Sequence, residues 1–413
     1  MDQPPETQFE TRVRRRSYLR TATTAGIASV ALGSIGTAAA QDDTETTRQY
    51  NVGHETEVGR EHARDVAVEV HHEFEALDIT TVEVAKSNLD ALDDHEDIRF
   101  VEANAAQSID LPDIDPDHQL PEELEVEQWN RWGIERVGAL AAHELGETGC
   151  GVHVGVIDTG IDPTHEDLHA NIGEGVAFVE TTVESSEEWA DDFGHGTHVS
   201  GTIAALDNDI GVVGVSPSAT LHPVKVLDNQ GTGTDADIAA GIEYAARQGY
   251  DVANISVTEQ ETSQTQTEAV RFAHKEGLLL VAATGNEGLP KVDYPAAHKE
   301  VIGVGAIAQD DSLASFSNTG SEVNLAAPGT AVLSTIPGSQ YGVMEGTSMA
   351  TPHVTGSAAL LAAHGLAIDE IRELLTTSAE DVSLAPDQQG SGLVNASTAT
   401  EELERLEGKA LAK

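Results

Sequence analysis

The sequence predicts an α/β fold, namely a doubly wound, mostly parallel sheet with helices on both faces, preceded by a smaller α+β unit. The main observation is that apolar, strand-like runs alternate with longer helical patterns from residue 152 to residue 364. Such alternation is typical of a parallel sheet whose crossover connections are helices. The second observation is size, because 413 residues with 39% hydrophobic composition suffice for a large core and a smaller domain.

The alternating patterns define one large domain over residues 127–413. Apolar runs predict its strands at 152–157, 220–227, 252–256, 278–283, 302–307 and 324–327. Helical periodicity predicts its helices at 195–205, 235–248, 265–276, 349–364 and 369–376. In an open sheet of this kind, functional side chains follow the carboxyl ends of the strands. Residues at those ends are therefore the first candidates for a site.

Residues 1–40 have the features of a targeting segment rather than of a folded domain. The stretch 15–20 (RRSYLR) resembles the twin-arginine export signal, and a mild run rich in Ala, Gly and Thr follows to residue 39. Three alanines at 38–40 suit a cleavage site. A transmembrane anchor and a basic nucleic-acid-binding arm are the alternatives, but the run is weakly apolar for a membrane span. We expect secretion by the twin-arginine route, with no membrane association after export.

Residues 41–110 form a separate acidic unit. Strands are predicted at 50–52, 81–84 and 98–102, with one helix whose apolar positions run from 58 to 74 and another at 87–93. After Ile109, three prolines stand among Asp and Glu residues and indicate an exposed linker over 111–126. The pattern predicts a small α+β sandwich joined to the large domain by an accessible connection.

The charge of the chain restricts its partners. With 71 acidic and 22 basic residues the formal net charge is −49, which argues against nucleic acid or an anionic membrane surface. The large domain itself carries the excess, with 43 acidic and 12 basic residues from 127 to 413. Molar salt shortens the Debye length to about 3 Å and screens such self-repulsion. The composition therefore predicts a halophilic protein.

Cys150 is the only cysteine of the chain. An intramolecular disulfide is therefore impossible, although the export signal predicts an oxidising destination. Because Cys150 stands just before an apolar strand, we expect it to be a small buried residue.

Three motifs together indicate nucleophilic catalysis. Residues 346–353 (GTSMATPH) present Ser348 at the start of an apolar helix, where an ordinary helix-capping serine is the alternative. Residues 154–160 (VGVIDTG) end a strand in Asp158, and residues 194–201 (GHGTHVSG) place His195 between two glycines. Serine needs a base to take its proton, and the base needs a carboxylate to fix its tautomer. Asp158, His195 and Ser348 supply all three groups.

The order Asp, His, Ser and the motifs around them resemble the subtilases, the subtilisin-like serine peptidases, and more narrowly the halolysins of salt-adapted microbes. The resemblance covers residues 128 to about 400. It implies a serine endopeptidase in which Asp158 orients His195, His195 is the base and Ser348 is the nucleophile. In residues 283–288 (ATGNEG) the resemblance assigns Asn286 to the oxyanion hole. His198 and His353 lie inside predicted helices, so we interpret them as packing residues.

The family resemblance extends to the N-terminal unit and to a metal. Residues 41–110 resemble the inhibitory prodomain of subtilases, a small ferredoxin-like α+β sandwich, which implies an intramolecular inhibitor and self-cleavage within the linker, between 117 and 127. Subtilases also bind structural calcium, and every protein ligand of that site has a counterpart here: Gln128, Asp167, Leu206, Asn208, Ile210 and Val212. An Asx-rich surface turn is the alternative interpretation of the loop 206–212.

The substrate cleft is where the sequence departs from the family. One wall, Gly231, Thr232 and Gly233, is retained, whereas the other is Ser256, Val257 and Thr258 in place of a glycine-rich strand. Binding of an extended peptide as an added strand remains expected. A shortened loop brings Asp293 and Glu287 toward the first specificity pocket, which predicts acceptance of Lys or Arg. A side chain of Asp293 turned to solvent is the alternative.

Three classes of function are compatible with these features. The first is a secreted, calcium-bearing endopeptidase that acts on proteins and peptides as a monomer after self-processing. The second is a processing peptidase of narrow specificity or a permanently inhibited zymogen. The third is a non-catalytic binding relative, which typically lacks a residue of the triad. All three triad residues are present here, so we favour the first.

Overall fold

The computed structural model describes residues 46–109, 132–179 and 187–411. The predicted export signal, the predicted linker and Gln128 lie outside the described residues. The predicted α/β fold is confirmed, with a parallel sheet surrounded by helices and a smaller antiparallel unit before it. Within these three ranges, no helix combines the length and the apolar character that crossing a bilayer requires.

The small unit is a four-stranded antiparallel sheet in the order β2-β3-β1-β4 with two helices. Its strands are β1 (Thr47–His54), β2 (Glu69–Glu73), β3 (Ile79–Ala85) and β4 (Ile98–Ala103). Its helices are α1 (Glu57–Val66) and α2 (Leu89–Asp93). Thr56 caps α1 by accepting hydrogen bonds from the backbone of Val58 and Gly59.

The prediction of one helix reaching Phe74 is wrong. Helix α1 ends at Val66, and the chain then forms edge strand β2, in which Val70 pairs with Val82 of β3. The apolar residues Val70 and Phe74 continue the helical spacing, but they do not belong to α1. Phe74 is instead buried in an apolar cluster of the large domain. A tertiary contact thus replaces the local preference.

The large domain contains a seven-stranded sheet in the order β13-β12-β11-β10-β6-β8-β7, and every neighbouring pair is parallel. Its strands are β6 (His153–Asp158), β7 (Val176–Ala177), β8 (Thr220–Lys225), β10 (Val252–Ile255), β11 (Leu279–Ala283), β12 (Ile302–Ile307) and β13 (Val323–Pro328). Strand order reverses beside β6, since the chain continues on one side to β8 and then crosses to β10 on the other. Ligand crevices form at such reversals, outside the carboxyl ends of the strands.

Helices cover both faces of this sheet. They are α3 (Trp132–Arg136), α4 (Ala139–Glu144), α5 (His195–Ala204), α6 (Asp235–Gln248), α7 (Gln264–Lys275), α8 (Thr347–Ala362), α9 (Ile368–Thr377), α10 (Pro386–Gln389) and α11 (Ala396–Leu411). Helices α6 and α7 pack on one face and α5 and α8 on the other, so that apolar clusters fill both interfaces. Helix α8 is buried from Thr347 to Leu361, which explains its unbroken apolar and small-residue sequence.

In the described part of the chain, two strand pairs lie outside the main sheets. Strands β14 (Val332–Ile336) and β15 (Gln340–Met344) form a hairpin. Strand β5 (Ala106–Ser108), which follows the small unit, pairs antiparallel with β9 (Thr232–Thr234) of the large domain.

Side chains of the small unit also cap helices of the large domain. Glu102 accepts hydrogen bonds at the start of α7 from the backbone N–H of Gln264 (2.7 Å) and of Thr265 (2.8 Å). Arg99 forms a two-pronged ion pair with Glu268 on the same helix, at 2.6 and 3.0 Å. Carboxylates at helix N-termini are stabilised by the helix dipole, so these contacts join the two units.

The expectation that Cys150 is buried is wrong. Its side chain is exposed, because it stands in a turn between two glycines of positive φ, Gly149 and Gly151. Val152, two residues after Cys150, is buried.

Candidate active site

Asp158 and His195 form a buried hydrogen-bonded pair at the reversal of strand order. Asp158 ends β6, and His195 is the first residue of α5. His195 Nδ1 lies 2.8 Å from Asp158 Oδ1 and 3.0 Å from Oδ2, and both side chains are at most 1% exposed. The Oδ1 atom also accepts a hydrogen bond from the backbone N–H of Thr159 at 2.7 Å. The carboxylate is thus held by its own strand while it contacts the imidazole.

Gly196 allows this close approach. A Cβ atom at residue 196 would overlap with the carbonyl oxygen of Gly160 and would lie 3.2 Å from Cβ of Asp158. The first turn of α5 therefore packs directly against the end of β6, and any larger residue would push His195 away from Asp158.

Asp191 fixes the start of α5. Its carboxylate accepts hydrogen bonds from the backbone N–H of Gly194 (2.8 Å) and Thr197 (2.9 Å) and from the hydroxyl of Thr159 (2.9 Å). Burial raises the pKa of Asp191, and these donors oppose that increase. The residue is a helix cap that also links α5 to the end of β6.

Ser348 stands in the first turn of α8, beside the end of β10. Its Oγ donates to the carbonyl oxygen of Ser256 at 3.2 Å, and the hydroxyl of Ser256 donates to the carbonyl oxygen of Ser348 at 3.1 Å. The preceding Gly346 has a φ of 150° and forms the N-cap. The serine side chain is held between α8 and the strand wall, and its backbone N–H belongs to the unpaired first turn of a helix.

Asn286 lies opposite Ser348, after the carboxyl end of β11. Its Oδ1 accepts hydrogen bonds from the backbone N–H of Thr347 at 2.8 Å and from the Thr347 hydroxyl at 2.9 Å. Because Oδ1 is occupied, the NH₂ group is the end available to a ligand. Asn286 is exposed, whereas Gly285 before it is buried, so the amide reaches from the sheet edge into the cleft.

The three histidines near this site differ in their protonation. Burial alone would lower the pKa of His195, but the charge of Asp158 and its hydrogen bond raise that pKa above the ordinary value. Burial lowers the pKa of His198 to about 3 and that of His353 to about 4. Both contact backbone carbonyls, since His198 Nε2 is 3.0 Å from the oxygen of Val332 and His353 Nδ1 is 3.0 Å from the oxygen of Met349. Of the three, only His195 has a carboxylate partner suited to proton transfer.

The cleft is flanked by β9 and by Ser256, Val257 and Thr258, the segment that follows β10. The Val257 side chain is buried in the core, and Glu259 beyond it is 6% exposed. Val257 therefore adds no side chain to the cleft, although it stands where the family has a glycine-rich strand, because its side chain turns inward. Strand β9 contributes Thr232 and Gly233, and the backbone oxygen of Gly231 accepts a hydrogen bond from Ile109 at 2.9 Å.

Glu287 and Asp293 are joined by Asn318. Its Nδ2 donates to Glu287 Oε2 at 2.8 Å and to Asp293 Oδ2 at 3.3 Å. Asp293 is 2% exposed, so its side chain is turned inward, and its Oδ1 is buried without a hydrogen-bond partner. Burial and the neighbouring Glu287 raise the pKa of Asp293 to about 6. A buried acceptor with one free oxygen thus lies behind Asn286.

Asp167 and the loop 206–212 form a second acidic site. Asp167 is fully buried, and its Oδ2 accepts hydrogen bonds from the backbone N–H of Val212 (2.9 Å) and the hydroxyl of Tyr341 (3.2 Å). Its Oδ1 is buried and has no hydrogen-bond partner. Asn208 turns the loop by accepting from the backbone N–H of Ile210 at 3.1 Å. An orphaned carboxylate oxygen beside amide and carbonyl oxygens is the donor set that a hard cation prefers.

Several residues of the site were not singled out by the sequence motifs. They are Thr159, Asp191, Thr347 and Asn318, which position Asp158, His195, Asn286 and Asp293 respectively. For Asp191 a signal was present, since an acidic residue precedes the predicted helix, as helix caps do. Asn318 carries no local signal, because its partners are 31 and 25 residues away in the sequence.

Comparison with known proteins agrees with this geometry. The sequence model of the subtilase family matches residues 149–397. An alkaline protease of Shouchella clausii is 43% identical over 338 residues, which cover 81% of this chain and 83% of the relative. Subtilisin Savinase of Lederbergia lenta is 48% identical over 271 residues, which cover 65% of this chain and 98% of the relative. A thermostable alkaline protease of Halalkalibacterium halodurans is 40% identical over 336 residues, 81% of this chain and 86% of the relative.

The match extends beyond the large domain, because the alignment of 338 residues exceeds the 287 residues from 127 to 413. The fold, the order of the three motifs and these identities lead to one conclusion. The chain belongs to the subtilase family and is a subtilisin-like serine endopeptidase, which hydrolyses peptide bonds.

Proposed function

We propose that the chain is made as a self-processing zymogen and acts after export as a halophilic, calcium-bearing serine endopeptidase. The observation that carries the chemical part is the 2.8 Å contact between His195 Nδ1 and Asp158 Oδ1. Ser348 and Asn286 lie at the same edge of the sheet, so a nucleophile, a base and an amide donor share one crevice. Residues 15–16 (RR) support the twin-arginine route to secretion, and the charge of −49 supports the halophilic character.

In this proposal, Ser348 Oγ attacks the carbonyl carbon of the substrate while His195 Nε2 takes the hydroxyl proton. The C–N bond then breaks as His195 returns that proton to the leaving amine, which produces an acyl-enzyme. Water repeats the sequence and releases the acid. Asp158 remains ionised throughout, because its role is to fix Nδ1–H and to stabilise the imidazolium.

The tetrahedral intermediate carries a negative oxygen that needs hydrogen-bond donors. Asn286 Nδ2 and the backbone N–H of Ser348 are the two donors we assign to it. The hydrogen bonds of Thr347 to Asn286 Oδ1 support this assignment, since they hold the amide with its NH₂ toward the cleft before substrate arrives. Pre-oriented donors stabilise developing charge without further reorganisation.

The small unit, residues 41–110, acts in this proposal as the intramolecular inhibitor. Pairing of β5 with β9 supports it, because the tail of the unit then covers the edge where a substrate strand would bind. The contacts of Glu102 and Arg99 with α7 support a stable complex after cleavage of the linker.

Calcium is assigned to the site of Asp167. The free Oδ1 of Asp167 supports this, because a buried carboxylate oxygen without a partner is costly unless a cation or donor satisfies it. Gln128, Leu206, Asn208, Ile210 and Val212 complete the proposed ligand set. When bound, the ion stabilises the folded domain and takes no part in the reaction.

The first specificity pocket is proposed to accept Lys or Arg before the cleaved bond. The inward side chain of Asp293 and its free Oδ1 support this, because a substrate cation supplies the missing partner. Glu287, joined to the same Asn318, adds negative charge. The substrates in this proposal are proteins and peptides, and the enzyme acts as a monomer.

The test is to produce residues 41–413 in molar KCl with calcium and to follow molecular mass and casein hydrolysis together. We expect the wild type to lose its acidic N-terminal unit and to digest casein, and Ser348→Ala to do neither. The surface variant Ser321→Ala is the matched control and should process normally. If the wild type and Ser348→Ala both remain full length and inactive, the zymogen proposal is wrong. Repeating the assay at low salt tests the halophilic character, because loss of screening should lower activity.

A further inference from the structure

The tail after the small unit occupies the cleft as an extended peptide would. Its register on β9 pairs Ala106 with Thr234, Gln107 with Gly233 and Ser108 with Thr232. The backbone contacts continue at both ends, since Asp235 N–H donates to the oxygen of Ala105 at 3.0 Å. The tail therefore marks which positions of the cleft receive the side chains of a bound chain.

One of these side chains, that of Gln107, contacts a pair of buried carboxyl groups. Gln107 Nε2 donates to Asp235 Oδ1 at 2.8 Å. Asp235 is 4% exposed and is hydrogen-bonded to Glu259, which is 6% exposed. Glu259 Oε1 in turn accepts from Gln266 Nε2 at 3.0 Å. Thus Gln107 covers a pair of carboxyls at the junction of the two cleft walls, just beyond β9 and Thr258.

The protonation states of Asp235 and Glu259 determine which substrate side chains can bind against them. Burial and the nearby Asp235 raise the pKa of Glu259 to about 9, so Glu259 keeps its proton at neutral pH and donates to Asp235. Asp235 remains as the acceptor for an incoming group. The pair then carries one negative charge, which a buried position tolerates only with donors.

We propose that Asp235 and Glu259 determine specificity by selecting substrates with Gln, Asn, Lys or Arg at the backbone position that pairs with Gly233. This inference rests on the proposed function, because it requires substrates to bind along β9 as the tail does. An apolar side chain at this position would cover Asp235 without replacing the hydrogen bond from Gln107. An acidic side chain would meet like charge.

The test uses the mature enzyme and a peptide library derived from a whole proteome, with cleaved bonds identified by mass spectrometry. In the wild type, Gln, Asn, Lys and Arg should be enriched at one position upstream of the cleaved bond, separate from the residue at the bond itself. For two synthetic peptides that differ only there, the Gln peptide should exceed the Leu peptide about tenfold in kcat/KM, as a hydrogen bond to a charged group allows.

Variants then assign the preference to the pair. Asp235→Leu should reverse the order of the Gln and Leu peptides, and the conservative Asp235→Asn should reduce the advantage of Lys and Arg more than that of Gln. Glu401→Gln, which removes an exposed charge on α11, is the control and should leave the ratio unchanged. A Gln to Leu preference that Asp235→Leu leaves unaltered would overturn the inference, as would a wild type without upstream enrichment. Failure to cleave any peptide would instead overturn the proposed function.

Discussion

His195 Nδ1 lies 2.8 Å from Asp158 Oδ1, and both side chains are at most 1% exposed to solvent. Replacing Asp158 with Asn would keep the shape and remove the charge that fixes the tautomer of His195. We expect kcat to fall about 10⁴-fold while KM changes little. Steady-state kinetics on a peptide amide provides the measurement. A loss of less than tenfold would mean that Asp158 does not orient the base.

The same pair predicts the pH dependence of activity. Only neutral His195 can take the proton of Ser348, and Asp158 raises the pKa of His195 above the ordinary value of 6.5. Thus kcat/KM should fall as pH decreases through that raised pKa and should be constant above it. The profile is measured at constant salt from about pH 5 to about pH 10. An acidic limb with its midpoint below the ordinary value would contradict the prediction.

Asn286 is predicted to act in the transition state only. Asn286→Ala removes the NH₂ donor, so kcat should fall about 10²- to 10³-fold with KM unchanged, which is the effect known for such a donor in another subtilase. Circular dichroism is the folding control, because self-processing itself depends on the oxyanion hole. A change confined to KM would indicate that Asn286 binds substrate without stabilising the oxyanion.

Asp293 should control the choice between cationic and aromatic residues before the cleaved bond. Asp293→Ser should lower the kcat/KM of a Lys peptide about tenfold or more and should change a Phe peptide far less. Because the pKa of Asp293 is raised to about 6, the carboxylate is formed as pH increases through that value. The Lys to Phe ratio of the wild type should therefore rise with pH over this interval. A ratio independent of pH and of the substitution would exclude Asp293 from the pocket.

Calcium should stabilise the enzyme through Asp167. At a calcium concentration about 100-fold above Kd, binding adds about 2.7 kcal/mol to the free energy of unfolding, so chelation should lower Tm. Asp167→Asn should lower Tm in calcium and should abolish the further decrease on chelation. Differential scanning calorimetry in molar KCl measures both. Equal responses of wild type and variant to the chelator would place the ion elsewhere.

Glu102 should control how long the N-terminal unit stays bound after cleavage. Glu102→Gln removes a charge from the start of α7, so release should be about tenfold faster. Mass spectrometry gives the time at which the linker is cleaved, and the onset of casein hydrolysis gives the time at which the N-terminal unit is released. The interval between them should shorten, whereas Glu61→Gln, on the exposed side of α1, should leave it unchanged. An unaltered interval would mean that this cap does not hold the unit.

Most of the fold and the chemical groups of the site could be predicted from local sequence. The strands around Asp158 and Asn286 are continuous apolar runs, and the helices of His195 and Ser348 begin at glycine-flanked motifs, so short segments were sufficient to predict them. The same reasoning did not predict β2, because that strand depends on pairing with β3.

Contacts between distant segments were not predictable in the same way. Gln107 and Asp235 are separated by 128 residues, and neither stands in a motif. Only the folded chain brings the tail, β9 and Glu259 together. The inward turn of Val257 has the same origin, since the core behind the wall decides which way that side chain points.

The strand pair β5 and β9 also bears on how activity is switched on. In the proposed zymogen the uncut linker tethers the tail, so the tail competes for the cleft at an effective concentration that is typically millimolar. Once the linker is cut, the tail competes only at the concentration of the released unit. Activation would then be completed by dilution. A concentrated preparation stays inhibited by the released unit, and the same molecules become active when they are diluted.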